Sequence, residues 1–466
     1  MNERIHMVGI GGIGMSALAQ VLLARGAAIS GSDAQESEMI ARLAALGAKV
    51  TVGHRAELVE GADRVVISDA IQPDNPELRQ AHALGIPVLR RSQLLAELMV
   101  GYRGIAVAGT HGKTTVTAMI GSILQEAGLD PTVVLGGEYR PLGGNARVGG
   151  GEWSVVEACE AYESFLDLEP EIAVLTNIEP EHLDHHGTEA HLRASFVSFL
   201  RRIIPNGCLV LCADRPELRQ IGAGIERDTV WYGTNEQAEV RGAGATVDGR
   251  SVRCQLSVAG DSVGELRVSV PGVHNLVNAL GAVAAARRAG ASLSSCRTAL
   301  AGFAGVERRF EVVGEVDGVT VVDDYAHHPT ELAASIAAAR AAFPERRLVA
   351  VFQPHLYSRT QTFAAEFANA LSRADLAVLT DIYPARETPL PGVTSGLIAQ
   401  HLLPLQGKDA LLEMAKGKLT GLLPASIRPG DVVLFMGAGD IGKTARDVVR
   451  RLGGHPVGEH EGVTKE

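Results

Sequence analysis

The chain is poor in cysteine, in aromatic residues and in positive charge. It carries five cysteines in 466 residues, two tryptophans and 4% aromatics in all. Cysteine this sparse, and odd in number, excludes a disulfide scaffold and fits a reducing cytosol. Cys208 and Cys212 have a spacing that could suggest a metal pair. No second ligand pair follows, so they read as buried strand residues, and Cys159, Cys254 and Cys296 carry no metal pattern either. Lys and Arg total 43 against 54 Asp and Glu, a formal charge of −11. That balance argues against a general nucleic-acid or anionic-membrane binder, while leaving room for a local basic phosphate pocket. No apolar run is long enough to span a bilayer, and the N-terminus is strand-like rather than a signal peptide, so a cytoplasmic location is expected.

What is present is core-forming material: 46% of residues are hydrophobic and 21% charged. At roughly 100–200 residues per domain, the length suggests about three domains. Three times an apolar strand runs into a glycine-rich loop and then a helix: Arg4–Ile10 into Gly11–Gly14, Gly104–Ala108 into Gly109–Gly112, and Asp431–Met436 into Gly437–Gly442. That repetition predicts α/β domains with mostly parallel sheets. The first domain closes near Tyr102–Arg103, and Pro205–Val270 reads as extra strands appended to the second domain. Leu276–Ala289 is a strong helix, Val319–Asp323 opens the strands of a third domain, and the polar tail from Gly453 reads as frayed.

Each loop has a chemical and a bland reading. In Gly9-Ile10-Gly11-Gly12-Ile13-Gly14-Met15-Ser16, glycines let backbone approach a pyrophosphate, and a helix N-terminus offers free N–H groups. Asp33 follows about 20 residues on, where a ribose-binding acid would sit. Alone this suggests a dinucleotide site, or a turn needed only for packing. Gly109-Thr110-His111-Gly112-Lys113-Thr114-Thr115 has the chemistry of a phosphate loop: backbone N–H groups to cradle phosphates, Lys113 to neutralise them and Thr114 to ligate Mg²⁺. It departs from the strict pattern at Val107, where glycine is wanted. Gly437-Ala438-Gly439-Asp440-Ile441-Gly442-Lys443-Thr444 does match that pattern, yet Asp440 would set a carboxylate beside a triphosphate, so it reads as a strand-to-helix turn.

Polar groups also gather at strand ends. Glu157 ends the strand Trp153–Val156, with Glu160 just beyond, and is placed to hold Mg²⁺ or to be a surface acid. Asn177–Gly187 clusters three histidines and three acids without the helical H-E-x-x-H spacing of a zinc site; a second Mg²⁺ or a substrate role fits at least as well. Asp323–Glu331 and Gln353–Thr360 repeat the theme and read as active-site loops, with Thr330-Glu331 also serving as a possible helix cap.

In this order, Gly9–Ser16 with Ser30–Asp33, Gly109–Thr115, Thr176–Asp184, His274–Asn278, Gly305–Phe310, Asp323–Glu331 and Phe352–Thr360 resemble the Mur ligase family, and among its members those that add L-alanine to UDP-N-acetylmuramate. The resemblance implies three domains: residues 1–103, Rossmann-like, holding the UDP-sugar; residues 104–305, a P-loop-type ATPase with added β strands; and residues 306–466, a Rossmann-like ligase domain. It implies ATP and two Mg²⁺ ions, an acyl-phosphate intermediate, and a place in peptidoglycan synthesis. By resemblance, Gly109–Thr115 hold the ATP phosphates, and Glu157 and His182, with Thr114, are metal ligands. His274, Asn275 and Asn278 lie on the adenine side, and Arg309 and Asp324 contact phosphate and ribose. Gly11, Gly12, Ile13, Gly14, Met15, Ser16, Asp33 and Ser68 hold UDP-sugar, while Tyr325, His327, His355 and Arg359 wall the alanine and carboxylate pocket. His327 is the expected base, Lys113 and Arg309 the groups that neutralise the transferring phosphoryl. The sequence departs from the family at Cys159, where aspartate is frequent, at Asp69, where serine is usual, and at Leu356, where arginine is common. Two alternatives accompany this reading: a sibling that returns a whole peptide to the same sugar, and a P-loop ATPase switch.

Overall fold

Arg4–Val8 is an apolar strand that stops at Gly9, where φ of +79° turns the chain into the helix Ile13–Ala24. Repeating that unit builds the N-terminal sheet. In this computed structural model, which describes residues 3–181, 186–385 and 387–457, its five parallel strands lie in the order Lys49–Val52, Ala28–Asp33, Arg4–Val8, Arg64–Ile67, Val88–Arg90. The order reverses at Arg4–Val8, and a reversal opens a crevice at the strands' carboxyl ends. The glycine loop emerges there.

The second sheet has ten strands. Ile172–Leu175, Arg103–Ala108 and Trp153–Glu157 are neighbours at its centre, all parallel. Thr132–Tyr139 and then the antiparallel Gly144–Arg147 extend one side; Cys208–Cys212, Asp228–Gly233, Val240–Asp248, Ser251–Val258 and Asp261–Val268 extend the other. The strands after Pro205 thus join the central sheet, as their alternating pattern predicts. Cys208 and Cys212 are buried in one strand and free of disulfide.

The third sheet runs Glu311–Val316, Val319–Asp324, Val432–Met436, Leu348–Phe352, Leu376–Leu379, Leu411–Glu413. All neighbours are parallel except the first pair. Separate apolar clusters, one around Phe352, Phe367 and Leu402 and one around Phe435, Val448 and Leu419, show the sheet covered on both faces. Two sequence expectations need correction here. Glu311–Val316 precedes Val319 as a strand; its glycine and flanking acids hide the alternation, and a bulge between Val312 and Gly314 breaks the register. The tail is not frayed at Gly453: Gly454 N donates to Val449 O at 3.0 Å and Val457 N to Val313 O at 2.8 Å.

The chain divides into two compact units. One holds Met1–Gly244, Cys254–Arg267 and Val277–Ala304; the other holds Ala245–Arg253, Val268–Leu276 and Gly305–Glu466. No helix among the described residues is long and apolar enough to cross a membrane.

Candidate active site

In the first unit, the strand Arg103–Ala108 ends at Gly109 and the helix Lys113–Glu126 begins four residues after that glycine. Gly109 takes φ of +130°, and a Cβ there would stand 2.1 Å from Thr176 Oγ1, so only glycine fits. The neighbouring strand end clamps the loop. Thr176 Oγ1 and Asn177 Nδ2 donate to His111 O at 2.6 and 3.1 Å, and Asn177 Oδ1 accepts from His111 N at 2.9 Å. Thr110 Oγ1 accepts from Glu179 N at 2.9 Å. The clamp fixes the loop backbone from the neighbouring strand end, and the Thr110 hydroxyl anchors it from the loop's own side.

Lys113 Nζ donates to Gly109 O at 2.6 Å and Thr110 O at 3.0 Å, and pairs with Glu160 at 2.9 Å. Burial disfavours its charge, but the carboxylates of Glu160 and Glu157 outweigh that and raise its pKa above the ordinary lysine value. The ammonium therefore stays charged at the head of the helix. Thr115 is buried behind it. Glu160 is 1% exposed, a buried acid whose role the sequence left unassigned. On the residue after Lys113, Thr114 Oγ1 lies 3.2 Å from Glu157 Oε2, and Glu157 ends its strand in register with Val107. A hydroxyl and a carboxylate oxygen side by side fit the all-oxygen set that Mg²⁺ takes. His182, the third expected ligand, lies outside the described residues. Asn278 reaches the same loop: its Oδ1 would be 2.7 Å from a Cβ on Gly112.

At the N-terminal sheet, Gly11 N donates to Asp33 Oδ2 at 2.9 Å, so the acid braces the glycine loop directly. Ser68 stands across Gly9, its Cβ 3.5 Å from where a Cβ on that glycine would be. Gly12 and Ile13 are exposed and Gly11 and Gly14 half-buried, but Met15 and Ser16 turn inward. Asn145 Nδ2 donates to Ser16 Oγ at 2.8 Å and to Ile13 O at 2.7 Å, tying this helix start to the central sheet. Met15 and Ser16 can therefore offer a ligand only their backbone.

The second unit gathers a different chemistry. Tyr325 and His327 follow the strand Val319–Asp324, and His355 follows Leu348–Phe352. Their rings meet edge to face, with centroids 5.4 Å apart for Tyr325–His327 and 5.7 Å for His327–His355. Tyr383, which no motif marked, stacks on His355 at 5.8 Å. Arg359 is buried, its Nη1 3.4 Å from His355 Nδ1. Leu356, between them, holds φ of +69°, a strained backbone of the kind that functional loops retain. His327 Nδ1 lies 2.8 Å from Tyr325 O. With Nδ1–H donating to that carbonyl, Nε2 keeps the lone pair that a base needs. Glu331 proves to be a cap as well as a neighbour: its Oε2 accepts from His327 N and His328 N at 3.0 and 3.2 Å.

Arg309 lies over the Tyr325 ring at 5.1 Å and 3.9 Å from Glu331. Asp324 is buried, accepting from Ser335 Oγ at 2.6 Å and Ala326 N at 3.1 Å, and burial pushes its pKa up to about 6. On the helix Val273–Arg288, burial pushes His274 down to about 4, so its ring is neutral, while Asn275 Nδ2 donates to Pro271 O at 2.7 Å. The third glycine loop is filled by its own unit. Arg308 Nη2 donates to Gly437 O at 2.8 Å, Asp440 pairs with Lys416 and accepts from Gln353 Nε2 at 3.2 Å, and Lys443 is exposed.

Three family profiles match in succession: Mur ligase family, catalytic domain, over residues 4–103; Mur ligase middle domain over 107–286; and Mur ligase, glutamate ligase domain, over 308–439. A UDP-N-acetylmuramate–L-alanine ligase of Sorangium cellulosum is 46% identical over 452 residues, covering 97% of this chain and 96% of the relative. The chain belongs to the Mur ligase family. A protein of the same description from Salinibacter ruber is 47% identical over 97% of this chain and 95% of its own length. Among solved structures, the UDP-N-acetylmuramate–alanine ligase of Thermotoga maritima aligns with a TM-score of 0.82 at 30% identity, covering 96% of this chain and 98% of that one. A murein peptide ligase from Psychrobacter arcticus aligns at 0.72 and 25% identity, covering 97% and 99%. The three-domain α/β architecture is therefore that of a Mur ligase, and the family is ATP-dependent.

Proposed function

We propose that this Mur ligase joins L-alanine to the carboxylate of UDP-N-acetylmuramate at the expense of ATP, a step of peptidoglycan synthesis. The observation that carries the proposal is Lys113: a half-buried, charged ammonium at a helix start, seated on the buried Glu160 beside the Thr114–Glu157 oxygen pair. It stands in a chain whose near-full-length relatives are described as performing that ligation.

Amide formation from a carboxylate and an amine is uphill in water, so the carboxylate must be activated. The γ-phosphoryl passes to the muramate carboxylate and gives an acyl phosphate. The alanine amine attacks its carbonyl carbon, and phosphate leaves from the tetrahedral intermediate. Gly109–Thr115 present backbone N–H groups and Lys113 to the phosphates, and stabilise charge as it moves between oxygens. Thr114 and Glu157 would hold Mg²⁺, which supplies Lewis-acid neutralisation of the phosphoryl oxygens; a second ion at His182 belongs to the same proposal. Arg309 adds positive charge. His327 takes the amine proton at Nε2, with Nδ1 anchored on Tyr325 O. Tyr325, His355 and Arg359 bound the amino acid and carboxylate. His274, Asn275 and Asn278 serve the adenine side and Asp324 the ribose. Gly11–Ser16, Asp33 and Ser68 receive the UDP-sugar. We assign residues 1–103, 104–305 and 306–466 as the three domains and the cytoplasm as the location.

Phosphate release tests this reading. With ATP, Mg²⁺ and UDP-N-acetylmuramate, release should require an amino acid and be fastest with L-alanine. Faster release with a tripeptide would favour peptide return, and brisk hydrolysis with ATP alone would favour a switch.

A further inference from the structure

The segment Asn177–Gly187 lacks the helical H-E-x-x-H spacing of a zinc site. Donors can also converge from separate segments, and three do. Glu163, His186 and His191 each bring one ligand atom within 4.8 Å of the others. We propose that they form a site for a borderline divalent cation such as Zn²⁺, separate from the Thr114–Glu157 oxygen pair and independent of the ligase reading. Two imidazoles and one carboxylate suit Zn²⁺ and its neighbours, whereas Mg²⁺ prefers oxygen throughout.

The ligands are positioned. His191 Nε2 stands 3.3 Å from Glu163 Oε1, about the separation of two donors that each sit roughly 2.1 Å from one tetrahedral ion. His186 is 5% exposed, and its ring lies 5.8 Å from that of His191. Ligating groups are usually oriented by a second partner; His186 and Glu163 have one on the ligating group, and His191 is fixed through its backbone at the helix start. Glu160 O lies 3.2 Å from His186 Nε2, Ser195 Oγ donates to Glu163, and the backbone N–H of His191 is held by the helix-capping Thr188 Oγ1 at 3.2 Å. Tyr162 and Glu163 both take φ of +54°, a conformation that side chains rarely adopt, and the Glu163 carboxylate in this turn faces the histidines. An ion pair alone would need only one histidine. The ion would tie the Glu163 turn to the helix Glu189–Arg201 and, through His186, to Glu160, whose carboxylate holds Lys113.

The test uses the full chain, stripped with chelator and kept in excess Mg²⁺, titrated with Zn²⁺ by calorimetry and with Co²⁺ by visible absorption. One ion should bind, and melting temperature should rise with it, because a ligand that binds only the folded state stabilises it. His191→Ala and Glu163→Gln should each weaken binding by at least about tenfold and remove the rise, while Glu157→Gln keeps both. His191 is half exposed, so its variant should fold. Absence of saturable Zn²⁺ binding, or equal affinity in His191→Ala, overturns the site. Loss of binding in Glu157→Gln with retention in His191→Ala assigns the ion to the phosphate loop and overturns it too.

Discussion

Replacing Lys113 tests two things at once, and the structure shows how to separate them. Lys113→Met removes the ammonium from Glu160, which is 1% exposed, and from the carbonyls of Gly109 and Thr110. Breaking a buried ion pair from one side costs about 3–5 kcal/mol, because the remaining charge is uncompensated. A dead single variant could therefore be an unfolded one. Lys113→Met with Glu160→Gln removes both charges and leaves two carbonyls short of a donor, about 1–3 kcal/mol each, a loss that the single variant shares on top of its unpaired charge. Urea unfolding should thus rank the double variant between the parent and the single variant. Activity should not follow that order. Both variants lack the group that neutralises the transferring phosphoryl, so both should lose about 10²-fold or more in kcat. If the double variant is no more stable than the single one, the Lys113–Glu160 coupling is wrong. If it regains activity, Lys113 is an ion-pair residue only.

Lys443→Ala should keep near-parental kcat and melting temperature, since Lys443 is exposed and its loop is filled by Arg308 and Lys416; a dead, folded variant would move the ATP site to that loop. Asp324→Asn should gain stability at neutral pH. Burial raises the Asp324 pKa from 3.8 to about 6, so the folded form holds its proton longer than the unfolded one, and stability falls as pH rises across that window. The gain is at most about 3 kcal/mol above pH 6 and vanishes below pH 4; equal unfolding curves at pH 5 and pH 7.5, relative to the parent, would refute it. Gly109→Ala should lower stability by about 3 kcal/mol or more, because its Cβ would collide with Thr176 Oγ1 at 2.1 Å and φ is +130°; an unchanged melting temperature would contradict the clamp. Tyr383→Ala should raise KM for the amino acid by about tenfold with KM for ATP unchanged, the loss of one aromatic stack; a change confined to ATP would remove Tyr383 from the amino-acid pocket.

Local chemistry determined much of this protein from sequence alone. A strand that ends in glycine and opens a helix is a short-range event, so the three loops and the α/β class were legible from neighbouring residues. The like-charge argument at Asp440 was equally local, and in the fold its carboxylate pairs with Lys416 and accepts from Gln353. Thr114 and Glu157, 43 positions apart, were also expected together, because Thr114 opens the helix after one strand and Glu157 ends the parallel strand beside it. The tertiary structure alone decided which groups meet across larger separations without a periodic signal. Tyr383 reaches His355 because the strands before them, Leu376–Leu379 and Leu348–Phe352, are parallel neighbours. Glu160 became the partner of Lys113, and Thr176 with Asn177 the clamp on His111, because strand order sets those ends beside the loop. Met15 and Ser16 turned inward because Asn145 lies across their helix start. The Glu163–His186–His191 convergence has no spacing rule at all: it depends on a strained turn and a helix start brought together by packing, which pairwise sequence distance does not encode.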